Sequence, residues 1–136
     1  MGIRQDMDGS LLPAVLAAPR ALVFLTVPWS GPERSARVQF RMAAEQLTAE
    51  HPELGIEFFS QDEDADWCQT WVGAFGISGL GGGVPRGAGS MLWLEGGRLV
   101  SSELGGAGLA ASGIVARTLW LFARQAEPGA AADGGA

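Results

Sequence analysis

Ala21-Leu22-Val23-Phe24-Leu25-Thr26-Val27, followed by Pro28-Trp29-Ser30-Gly31-Pro32-Glu33, is the stretch on which the fold turns. The first seven residues form an almost unbroken apolar run. That is the pattern of a strand covered on both faces. Pro28 ends it, because proline cannot donate to a strand ladder. Beyond Glu33, apolar residues recur at helical spacing: Ala36, Phe40, Ala43, Ala44 and Leu47. One stripe of a helix running to about Glu50 collects them all, and Pro52 stops it. Ile56 to Phe59 reads as a second buried strand. A strand, a helix and a second strand in this order imply parallel neighbours joined by a right-handed crossover.

Working outward, residues 1–14 read as a flexible N-terminal segment, within which Leu11 to Ala18 begins a short edge strand or a helical turn. Ser60 to Phe75 reads as the next helix. Trp67, Cys68, Trp71, Val72 and Phe75 share one of its faces, Ser60 and Glu63 offer a capping box, and Gly76 offers a stop. Residues 76–89 are glycine-rich, carry Pro85, and read as a loop. Met91 to Leu94, Gly96-Gly97 and Arg98 to Ser101 form a hairpin signature, since paired glycines accept the positive φ of a tight turn. Leu109 to Phe122 reads as the last helix. Its Leu119, Trp120, Leu121 and Phe122 cannot all face one core, so one of them shows an apolar patch to solvent or to a second subunit. Residues 125–136 read as a disordered tail. The expected fold is α/β: a single domain over residues 15–124, with a mixed central sheet flanked by helices on both faces.

Composition narrows function. The chain has 136 residues, 47% of them hydrophobic and 18% charged, which suits one packed domain. Its net charge of −6 disfavours a nucleic-acid partner. Every basic residue is arginine, read as a bacterial-type compositional bias and not as chemistry. No run approaches the roughly 20 apolar residues of a membrane span. Asp6, Asp8 and Pro13 spoil the pattern of a signal peptide, so a cytoplasmic home is expected. The single cysteine, Cys68, excludes an intramolecular disulfide and a cysteine-based zinc site. No cofactor and no metal are expected.

The order of elements, with Trp29-Ser30-Gly31-Pro32-Glu33 at the first strand-to-helix junction, resembles the thioredoxin-like superfamily, which carries Trp-Cys-Gly-Pro-Cys there. The acidic stretch Ser60 to Asp66 and the hairpin Met91 to Val100 are similar to two further landmarks of that family. The resemblance covers about residues 15 to 124 and implies a three-layer thioredoxin fold. It also marks departures. Ser30 and Glu33 stand in the places of the two redox cysteines, and thiol–disulfide exchange needs a thiolate to attack and a second thiol to resolve. Phe24 stands where the family has a buried aspartate. Gly89 stands in the place of the family's cis-proline, unless an insertion lets Pro85 fill that role.

Three readings of function follow. The first is a non-catalytic protein- or peptide-binding module using Trp29, Ser30, Gly31, Pro32, Glu33, Arg34, Arg37, Pro85 and Gly89. The second is a thiol-dependent redox protein acting through Cys68, a residue whose neighbours on its helix face equally suit a place in the core. The third is a structural subunit, a homodimer through the last helix. Arg34, Arg37 and Arg41 form one helical stripe that reads either as a solvated face or as a strip for an acidic partner. His51 lies at the far end of that helix from Ser30, so no Ser–His–acid triad assembles from the sequence.

Overall fold

The computed structural model describes residues 2–6, 10–26, 31–62, 90–103 and 109–123. Five strands form one sheet: β1 (Arg4–Asp6), β2 (Arg20–Thr26), β3 (Ile56–Asp62), β4 (Met91–Glu95) and β5 (Arg98–Glu103), in the order β1-β3-β2-β4-β5. β3 runs parallel to both β1 and β2, and β4 and β5 continue the sheet antiparallel. Helix α1 (Leu12–Ala17) links β1 to β2, and α2 (Gly31–Glu50) links β2 towards β3. These two crossovers travel in opposite directions across the sheet. With one preferred hand they must lie on opposite faces, and they do.

The central strand shows why. All of Ala21 to Leu25 is buried, and the side chains alternate between two cores. Leu22 and Phe24 join Phe40, Leu47, Phe58, Met91 and Trp93 under α2 and the last helix, α3 (Ala111–Thr118). Ala21, Val23 and Leu25 join Val15, Phe59, Leu92 and Leu94 under α1. The expected layered α/β architecture is therefore present, and the five apolar positions assigned to α2's inner stripe are all buried.

Two expectations change, and an open alternative is decided. Residues 4–6, placed by sequence in a loose leader, pair with Phe59, Ser60 and Gln61 of β3. Of the two alternatives for Leu11 to Ala18, the helical one forms, as Leu12–Ala17, with Pro13 in the first turn where its missing N–H costs nothing. The helix expected to start at Ser60 does not: Ser60, Gln61 and Asp62 extend β3. Those residues pair with Phe24, Leu25 and Thr26 on one side, and Ser60 and Gln61 also pair with Gln5 and Asp6 on the other. Ladder pairing on both sides outweighs the local capping preference of a serine. The remainder of that expected helix, Cys68 included, lies outside the described residues.

The hairpin forms as read, with Gly96 at φ 59° and Gly97 at φ 81°. The two glycines differ in surroundings. A Cβ at Gly96 would meet open space, whereas one at Gly97 would lie 2.7 Å from the backbone oxygen of Leu16. Gly96→Ala should then cost about 1 kcal/mol for the left-handed conformation alone, and Gly97→Ala at least about 2 kcal/mol. Denaturant melts of the two variants check this; equal losses would show that the close approach to α1 is not felt.

β5 carries a bulge. Leu99 faces Leu94 and Ser101 faces Trp93, so Val100 has no partner across the ladder. Leu99 packs against the α1 core and Val100 against the α2 core, on opposite faces as successive strand residues are. At its start α3 has no side-chain cap of its own. Gln39 of α2 supplies one, its Oε1 accepting the N–H of Ala111 at 2.8 Å. α3 runs on as a π-helical turn, Leu119–Ala123. That turn buries Leu121 and Phe122 and leaves Trp120 62% exposed, so Trp120 is the apolar residue turned outward.

Candidate functional site

β2 and β3 end side by side, with Thr26 opposite Asp62, and α2 begins at Gly31 just beyond. Open α/β sheets bind their ligands at the carboxyl ends of parallel strands. A third segment reaches the same end: the backbone N–H of Leu25 donates to the carbonyl of Ser90, which is fully buried, at 2.8 Å. The structure thus brings the end of β2, the end of β3, the start of α2 and the chain entering β4 to one edge of the sheet.

Of the residues assigned to binding from sequence, Gly31, Pro32 and Glu33 form the first turn of α2, Arg34 is exposed, and Arg37 is half-buried one turn further on. Trp29, Ser30, Pro85 and Gly89 lie outside the described residues. Because α2 starts at Gly31, Ser30 is by sequence its N-cap residue and Glu33 its third helical residue, the spacing of a capping box. Ser30→Ala should lower stability by about 1 kcal/mol. Glu33→Ala combined with it should cost less than the sum of the two single changes. Thermal melts of the three variants read this, and an unchanged midpoint for Ser30→Ala removes the cap.

Phe24, in the place where the resemblance has a buried acid, is fully buried and stacks on Phe40 with ring centroids 5.2 Å apart. Its position can neither accept nor donate a proton. His51 follows the far end of α2, where its Nδ1 lies 3.4 Å from a carboxylate oxygen of Glu53. Among the described residues there is no group of three histidine, cysteine or acidic side chains suited to a metal ion. No described helix is long and apolar enough to cross a membrane.

One feature had no counterpart in the sequence reading. Among the described residues, a trough of about 710 Å³ lies between α2 and β1. Gln5 and Ser60, paired across β1 and β3, contribute to its floor, and Arg37, Arg41 and Thr48 rise from α2. Gln5 lies between Arg4 and Asp6, and Ser60 follows the buried pair Phe58 and Phe59 and precedes Gln61. Neither stretch points to a shared floor until the two strands are known to be neighbours.

No family model and no curated protein matches the chain. Solved structures do. Thioredoxin O2 from Arabidopsis thaliana superposes with a TM-score of 0.61 at 13% identity, covering 89% of this chain and 95% of that one. Chlamydomonas reinhardtii thioredoxin f2 gives 0.56 at 12% identity, covering 93% and 98%. An Entamoeba histolytica thioredoxin variant gives 0.53 at 17% identity, covering 76% and 86%. The chain has a thioredoxin-like fold over most of its length.

Proposed function

We propose that this chain is a thioredoxin-like module that has given up dithiol exchange and holds a protein or peptide segment at the edge where β2 ends and α2 begins. One observation carries the reading. A chain of this fold has a single cysteine, Cys68, and it is not at that junction, where Ser30 and Glu33 stand instead. A serine hydroxyl does not attack a disulfide and a carboxylate does not resolve one. What the junction keeps is shape: a Trp, Gly and Pro beside a helix start, with Arg34 and Arg37 along the helix that follows. Exposed tryptophan and arginine are the residue types that most often anchor an interface. Trp29 is assigned as the anchor, with Pro85 and Gly89 contributing from the chain that leads into β4.

Two measurements test this. With dithiothreitol as reductant, the protein should reduce insulin disulfides no faster than its own Cys68→Ser variant. A faster rate that the variant loses would assign thiol chemistry to Cys68 instead. Proteins retained by the immobilised chain should be released by Trp29→Ala in a variant whose melting temperature is unchanged. Retention indifferent to Trp29 sinks the proposed anchor.

A further inference from the structure

The trough between β1 and α2 lies on the flank of α2 that faces β1, and it combines two kinds of surface. Ile3, Phe40 and Ala44 give it an apolar lining, while Gln5 and Ser60 place polar groups on the floor. Arg37 and Arg41, one helical turn apart, stand over it from the same helix, with the single acidic residue of its lining, Glu45, one turn further on. Arg41 is exposed, and among the described residues no ion pair or hydrogen bond engages its guanidinium. The volume of about 710 Å³ falls in the range of small-molecule sites, roughly 300–1,000 Å³. Clefts of that kind are mostly apolar with a few polar groups that fix orientation.

We propose that this trough binds a small amphipathic anion: a carboxylate or sulfonate whose charged head meets Arg41 and whose apolar body lies against Ile3. Guanidinium groups favour such heads because their fork of N–H donors matches two oxygens at once. The chain as a whole carries −6, so an anion is drawn to this place by local charge and not by the net field. The other candidate surfaces are weaker. β5 is an edge strand among the described residues, but the bulge at Val100 kinks it. Trp120 is turned outward, but nothing identifies what would cover it.

The probe is 1-anilinonaphthalene-8-sulfonate, an anionic apolar dye whose fluorescence rises on leaving water, titrated into the full chain. Saturable binding at one dye per chain is expected, displaced by decanoate and at least 10-fold less well by the uncharged decan-1-ol. Arg41→Glu and Arg41→Ala should each weaken dye binding at least 10-fold. Arg98→Glu, which changes net charge identically to Arg41→Glu at an exposed residue of the hairpin, should weaken it less than 2-fold. Melting curves confirm that each variant folds. Absence of saturable binding, equal displacement by the acid and the alcohol, or equal losses from Arg41→Glu and Arg98→Glu would each overturn the assignment.

Discussion

Phe24→Ala should destabilise the protein by about 3–5 kcal/mol, the range for deleting a buried aromatic side chain. Phe24 sits at the centre of the sheet, with β3 on one side of its strand and β4 on the other. Its ring is fully buried, stacked on Phe40, and Phe40 in turn meets Phe58 edge-on at 6.4 Å. Such pairs add about 0.5–1.5 kcal/mol beyond the area they bury. Alanine leaves a hole beneath α2 that the sheet cannot close, because its neighbours in the row, Ser60 and Met91, are fixed by strand pairing. Against a typical total of about 5–15 kcal/mol, the midpoint of thermal unfolding should fall on the order of 10–20 °C. A double-mutant cycle of Phe24→Leu with Phe40→Leu should show coupling, since the two rings touch. A loss below about 1 kcal/mol for Phe24→Ala would mean that this core is far softer than drawn.

Trp93→Ala should cost a similar amount, about 3–5 kcal/mol, for a different mixture of reasons. Trp93 is fully buried in β4, and its indole N–H donates to Thr118 Oγ1 at 2.8 Å. Thr118 Oγ1 passes its own proton on to the carbonyl of Ile114 at 2.7 Å. Arg117 lies over the indole with 5.1 Å to the ring centre and pairs with Glu103 on β5 at 2.8 Å. The chain of donors ties α3 to β4 and β5. Thr118→Val keeps the volume but strands the indole N–H, which should cost about 1–3 kcal/mol. Trp93→Phe removes the donor, so adding Thr118→Val to it should cost much less than Thr118→Val alone. Urea unfolding of the four proteins measures this; full additivity would show that the hydrogen bond contributes nothing.

What could be read from the chain and what could not divide along sequence distance. β2, the inner stripe of α2 and the Gly96-Gly97 hairpin were legible because each is written in neighbouring residues: an apolar run, a helical period, a pair of glycines. β1 and the last three residues of β3 were not. Arg4-Gln5-Asp6 looks like a polar leader, and Ser60-Gln61-Asp62 looks like a helix cap, until the two stretches are set side by side. The cap that Gln39 gives α3 spans 72 positions and left no local trace. Within the candidate site, the turn Gly31-Pro32-Glu33 and the stripe carrying Arg34 and Arg37 were visible, while the trough was hidden for the same reason as β1. That residues 29–33 contain no cysteine could be read directly, because residue identity needs no partner strand to be seen.

The kink at Val100 bears on whether copies of this chain join through their sheets. Growth into a ribbon needs two compatible borders on each molecule, one to receive and one to offer. Among the described residues, one border of the sheet carries the bulge and the other, at β1, is three residues long. A surplus valine on one rim and a short stretch on the other both work against open-ended stacking of these sheets.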